Sequence, residues 1–255
     1  MNFDDNLIAC AALVERADPL RFRATMAAPV SARQVLFPLY AFNLEVARAP
    51  WVTQEAMIAE MRLQWWRDVC EEIAEARPVR RHEVATPLAA AISERNAKLL
   101  DDLVAARRWD IYRDAFEDAA HFDHYIDQTA GTLMWVAASS LGQADESVVR
   151  DAGYGAGVAA WLHAIPQLVD QGRVPLLDGT DAGVSALAQK ASARLKKARK
   201  HRTMVSAAAR PALFSIGASA KVLQAAIDEP ARVGDGTLPH VDAFLLPWRA
   251  LSGRW

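Results

Sequence analysis

Cysteine is scarce: the 255 residues hold two, Cys10 and Cys70, with neither a Cys-x-x-Cys pair nor a Cys/His spacing. That excludes a disulfide framework and a sequence-evident zinc site, and it points to a reducing compartment. An excess of one charge is absent too. Lysine and arginine number 29 against 31 acidic residues, for a net charge of -2, so no overall basic field exists to draw nucleic acid. The longest apolar runs, near 133–142 and 158–166, are broken by serine, histidine or glycine. They fall short of the roughly 20 residues that cross a bilayer. The chain opens Met-Asn-Phe-Asp-Asp-Asn, and no targeting peptide is expected there, because its acids, Asp4 and Asp5, stand where one carries Lys or Arg. The expectation is a cytoplasmic protein, with any membrane contact peripheral and at the inner membrane. No G-x-S-x-G occurs, which excludes a serine nucleophile elbow. Gly153-Tyr-Gly-Ala-Gly157 lacks the spacing and preceding strand of a dinucleotide loop, and tight helix packing accounts for it better.

What is present is apolar and helical. Hydrophobic residues make up 52% and charged residues 24%, enough for a sizeable core and too apolar for disorder. Alanine-rich segments with helical periodicity alternate with short Pro or Gly breaks, predicting an all-α fold in a single domain over residues 1–255. The pattern predicts helices over 6–16 and 20–26, then over 32–47 with Ser31 as N-cap and Pro38 as a kink or delayed start. A helix over 53–76 is expected to bury Met57, Met61, Trp65, Val69 and Ile73, spaced four apart. A loop over 77–87 follows, then helices over 88–95 and 98–106. A continuous helix is expected over 112–141, with Phe116, Ala119, Ala120, Phe122, Tyr125 and Ile126 inside. Gly131 within it implies close approach of another backbone or a ligand. Further helices are expected over 146–165 with Pro166 as their end, 184–208, 213–227 and 241–251.

Several clusters of functional residue types have plainer accounts. Asp68, Glu71, Glu72 and Glu75 share a helical face, but flanking arginines make a solvated charged surface the simpler reading. Asp101-Asp102 belongs with them. Asp123 and Asp127, four apart beside His124, form a sharper pair that would hold one Mg2+ if a second acidic helix existed. None is evident. The histidines are scattered. Lys190, Arg194, Lys196, Lys197, Arg199, Lys200 and Arg202 make a basic helix that reads first as a solvated face and second as a site for anionic lipid or an acidic partner. Trp65-Trp66, Trp135, Trp161 and Trp248 fit core packing and the wall of an isoprenoid-sized pocket about equally well.

Short motifs nevertheless agree with one family. Leu39-Tyr-Ala-Phe42, Leu63-Gln-Trp-Trp-Arg67, Thr86-Pro-Leu88, Tyr125-Ile-Asp-Gln-Thr-Ala-Gly131 and Gly172-Arg173 before Val174-Pro-Leu176 resemble signatures of the squalene/phytoene synthases, over about 20–177. The resemblance implies a helical bundle around a central cavity. It also implies prenyl transfer, in which two facing Asp-x-x-x-Asp motifs hold the Mg2+ that ionises an allylic diphosphate. By family position, Arg33, Tyr40, Asn43, Tyr125 and Arg173 would touch ligand. The metal motifs are what this chain lacks. Set on the Phe42 anchor, the first aspartates fall at Ala47 and Trp51; set on Gly172-Arg173, the second fall at Ala164 and Leu168. No catalytic residue and no cofactor is therefore expected. The sequence 41–47, with 61–66 and 161–166, resembles a divergent branch of the family that serves mitochondrial complex I assembly. That implies a pseudoenzyme, a bacterial relative acting through complex I subunits or assembly intermediates, with an isoprenoid lipid as a further partner. The alternative is a Mg-dependent prenyl transferase, condensing isoprenoid diphosphates head to head, with ligands relocated to Glu45, Asp123 and Asp127. Asp170 also lies near the lost second motif.

Overall fold

Segments whose apolar residues recur three and four apart fold as α-helices in the computed structural model, which describes residues 4–112, 114–239 and 255. Helix α1 spans Asp5–Ala17, α2 Pro19–Met26, α3 Val30–Arg48 and α4 Ala56–Ala74. Then come α5 Ala85–Ala91, α6 Glu94–Ala106, α7 Trp109–Tyr112, α8 Ala119–Ile126 and α9 Thr132–Leu141. The last four are α10 Glu146–Asp170, α11 Asp181–Lys200, α12 Ser219–Asp228 and α13 Ala231–Gly234. Among the described residues the sole β pairing is an isolated bridge between Ala144 and Val205. The fold is all-α, as the periodicity predicts.

Start signals are read by the backbone more often than the sequence pattern suggests. Asp4, Asp18, Ser93, Asp118, Asp145 and Thr180 each cap a helix, their side chains accepting a hydrogen bond from a backbone N–H three residues on. The expected cap at Ser31 is not used. Helix α3 begins two residues earlier, after Pro29, with no side-chain cap. Asp118 matters most, because it restarts the chain after a break. The single helix expected over 112–141 is therefore α7, an irregular stretch, α8, a π-helical turn over Asp127–Gly131 and α9, and Ala119 and Ala120 are exposed at its start.

Two prolines do not act as predicted. Pro38 and Pro166 both sit inside intact helices. A proline removes one backbone donor and crowds the preceding turn, at about 3 kcal/mol. Helices α3 and α10 are packed on several sides, and that burial outweighs the loss. Pro87 likewise lies within α5 rather than in a loop, and α5 ends at Ala91.

Helix α4 corrects the expected inner stripe. It buries Ala59, Leu63, Trp66, Val69, Cys70 and Ile73, whereas Met57 is 75% and Met61 67% exposed. Steps of four residues advance about 40° beyond a full turn each time, so a stripe drawn at strict fours winds off the buried face. Alternation of threes and fours stays on it.

Helix α10 is the organising element, packing on α9, α11, α12, α13 and the π-helical turn. Its glycines permit this. A Cβ at Gly153 would stand 2.9 Å from the Cα of Gly131, and one at Gly155 2.9 Å from Leu195 Cβ on α11. One at Gly157 would stand 2.6 Å from Ala130 Cβ. The close backbone approach expected at Gly131 is therefore made by Gly153. Helix α9 is buried along residues 132–138, as a helix apolar all round must be. The basic helix α11 ends at Lys200, and a 3-10 segment over Arg210–Ala218 precedes α12. The expected helix over 241–251, and Trp248 with it, lies outside the described residues.

Candidate functional site

A cavity of about 400 Å³ lies among α2, α3, the α7 to α9 segment, α10 and the 210–218 segment. Small side chains make the room: Ala130, Gly153, Ala156, Gly157, Ala160 and Ala164 leave space that Leu133, Met134, Trp161 and Leu168 enclose. Exposed Trp51 and Gln167, with half-buried Gln171, lie where the cavity meets solvent. A concave, mostly apolar volume with a few polar groups suits a small amphiphile.

The lining gathers most of the residues singled out in the sequence. Tyr40, Asn43 and Tyr125 face the cavity, and so do all of Ala47, Trp51, Ala164 and Leu168. Two others do not line it. Arg33 turns back to donate hydrogen bonds to the carbonyls of Ala28 and Met26 at the end of α2. Arg173 is buried, donates to the Asp110 carbonyl and lies 4.4 Å from the Trp51 ring centroid. It adjoins the cavity through that tryptophan.

Three polar residues the sequence reading passed over complete the site. Asp110 is 3% exposed and accepts hydrogen bonds from Arg107 at 3.2 Å and from the Tyr125 hydroxyl at 2.8 Å. Arg107 also donates to the Tyr125 oxygen at 2.9 Å. Burial, with Asp110 alongside, holds the Tyr125 hydroxyl well above its ordinary value, so it stays protonated. Burial opposes the charge on Arg107, but Tyr125 and Asp110 outweigh it and its pKa is raised. Arg21 lies 5.3 Å from the Tyr40 ring centroid and pairs with Asp18 at 3.0 Å. Burial pushes the Tyr40 hydroxyl up to about 12, with Arg21 working the other way. The one signal was a spacing of three between Arg107 and Asp110, which carries weight only on a helix, and the sequence pattern predicts none over 107–111.

The family's metal does not fit this lining. Alanine, tryptophan and leucine offer no oxygen to a hard cation, and the oxygens α10 and its cap contribute are the neutral amides of Gln167 and Gln171. The remaining carboxylate, Asp110, is taken by Arg107 and Tyr125. Among the described residues no three His, Cys, Asp or Glu side chains are grouped to hold a metal ion. Glu45 pairs with Arg48 and faces a separate groove. Asp123 accepts from the Tyr154 hydroxyl at 2.5 Å and pairs with Lys190, while Asp127 pairs with Arg150 at 3.0 Å. These three lie outside the cavity lining and take separate partners. The basic helix is partly spent in the same way, since Arg194 and Lys197 both pair with Asp151 of α10.

A helical bundle enclosing an apolar cavity with a polar end is the architecture of an isoprenoid synthase. The chain belongs to the squalene/phytoene synthase family, whose sequence profile matches residues 14–176. Solved structures with the same fold include a dehydrosqualene synthase in complex with ligand, at a TM-score of 0.79 and 13% identity, covering 97% of this chain and 96% of that one. The squalene synthase HpnC from Alicyclobacillus acidocaldarius matches at a TM-score of 0.73 and 14% identity, over 92% and 95%. Among curated relatives, the NADH dehydrogenase (ubiquinone) complex I, assembly factor 6 homolog of Drosophila melanogaster is 29% identical over 167 residues, 62% of this chain and 50% of the relative. The human complex I assembly factor 6 is 25% identical over 162 residues, 62% and 48%. The chain thus spans about half the length of the curated relatives it matches. Among the described residues no helix is long and apolar enough to cross a membrane.

Proposed function

We propose that this chain is a catalytically silent member of its family that acts by protein contact in the assembly of respiratory complex I, and that it keeps the cavity for a prenyl chain. The observation that carries the reading is the lining of that cavity, where Ala47, Trp51, Ala164 and Leu168 stand together. A departing diphosphate develops several negative charges, and its departure needs divalent cations held by converging carboxylates. Side chains that cannot coordinate leave that charge unstabilised. The likeness to complex I assembly factors supplies the partner class: complex I subunits or their assembly intermediates. Membrane contact, in this reading, is peripheral.

Deleting the gene and separating native membrane complexes on a gel with an in-gel NADH dehydrogenase stain tests the assembly role. The expected result is less assembled complex I, restored by the chain carrying its own sequence. Full assembly and activity in the deletion strain would defeat it.

A further inference from the structure

The polar end of the cavity is not built for a highly charged ligand. Its two arginines are already met, Arg21 by Asp18 at 3.0 Å and Arg107 by Asp110 at 3.2 Å. The Arg107 Nε–H is left without a partner, and beyond the arginines the lining offers hydrogen-bonding groups without charge. Tyr40 and Asn43, three apart on α3, share a face and both line the cavity. They are 4% and 7% exposed, so both side chains belong to the wall of the cavity rather than to the outer surface. A hydroxyl and an amide on a largely apolar wall are the groups that would orient a bound molecule. Much of the rest of the lining is apolar, through Ala130, Leu133, Met134, Ala156 and Gly157.

We infer that the cavity receives an apolar prenyl-type chain ending in a neutral oxygen head, an alcohol or a quinone-type carbonyl, bound by Tyr40 and Asn43 without a metal ion. The Tyr40 hydroxyl, kept protonated by burial, donates to the head oxygen, and the Asn43 amide donates or accepts as the head requires. A diphosphate placed there would set several negative charges against guanidiniums that have partners, with no cation to balance them. The inference rests on reading the cavity as a site retained by a non-catalytic family member, and it adds the chemistry of the head.

Isothermal titration of the full chain with farnesol, with a short-chain prenylquinone and with farnesyl diphosphate, each in Mg2+ and in EDTA, tests it. At least one neutral ligand should bind with a Kd that EDTA leaves unchanged, and the relative affinities of the two tell alcohol from carbonyl. Farnesyl diphosphate should bind at least about tenfold more weakly. Tyr40→Phe, which preserves shape, and Asn43→Leu should each weaken the neutral ligand by about 2- to 10-fold, the worth of one hydrogen bond. Ala156→Leu, which fills the apolar end, should abolish binding while circular dichroism stays unchanged. No binding of either neutral ligand, or full affinity in folded Tyr40→Phe, would overturn the inference and leave the assembly role to the deletion experiment. Metal-dependent diphosphate binding tighter than that of the neutral ligands would also overturn it, and product formation alongside would remove the non-catalytic reading as well.

Discussion

Asp110 illustrates how far a buried charge depends on its neighbours. Its carboxylate, 3% exposed, is held by Arg107 and Tyr125 at 2.8 to 3.2 Å. Breaking a buried pair by removing one member leaves the other charge stranded, at 3 to 5 kcal/mol when burial is complete. The Arg107 side chain keeps 21% of its exposure, so Arg107→Met should cost somewhat less, roughly 2 to 4 kcal/mol in urea unfolding. A loss within about 0.5 kcal/mol would show that the carboxylate does not need its partner. Proton linkage gives a second residue-level prediction. Burial raises Cys10 from its ordinary 9.0 to about 12, and burial raises Tyr40 from 10.0 to about 12. Unfolding lets both ionise at the lower values, so above pH 9 the unfolded state sheds protons that the folded state keeps. Their contribution is complete only well below pH 9 and is lost as pH climbs toward 12. The urea midpoint should therefore fall between pH 8.5 and 11, and Cys10→Ala should flatten the early part of that fall. A midpoint that climbs over the same range would contradict it.

Among the elements, the contact between α10 and the turn before α9 is the tightest point. A methyl group at Gly153 would lie 2.9 Å from Gly131 Cα and 3.1 Å from the Ala130 carbonyl oxygen. Both are backbone atoms, which cannot swing aside as a side chain can. Gly153→Ala gains about 1 kcal/mol of helix propensity but forces two helices apart, an overpacking cost of about 1 to 3 kcal/mol. The Tm should drop by a few degrees, and a rise would mean the helices separate freely. This packing was legible in the sequence, because three glycines two apart in an otherwise apolar helix have few other uses. The cavity positions were legible too. Phe42 and Gly172-Arg173 fixed where Ala47, Trp51, Ala164 and Leu168 fall, and spacing by four kept each pair on one face. Other features were hidden for physical reasons. The stripe Met57, Met61, Trp65 winds off the buried face of α4, and the break before α8 is set by one aspartate cap. Arg33 and Arg173 have long side chains, so knowing where their backbones lie did not say where their guanidiniums go. Arg107 and Asp110 fell between two predicted helices, where no periodicity marked an inner face.

Taken as a whole molecule, the chain keeps the bundle and cavity of its family, and among the described residues no group of acids is placed to hold metal in that cavity. Carboxylates are not lacking elsewhere, but Asp110, Asp123, Asp127 and Asp151 are each committed to an arginine or lysine. On the proposed reading the chemistry would fail through placement, since an acid already paired and facing another helix offers nothing to a diphosphate in the cavity. The most direct test is phosphate detection, in the presence of pyrophosphatase, after incubating the purified chain with farnesyl or geranylgeranyl diphosphate and Mg2+. Release at the rate of buffer alone is expected for both substrates, with no hydrocarbon formed. Release that scales with protein concentration and stops on adding EDTA would contradict the account.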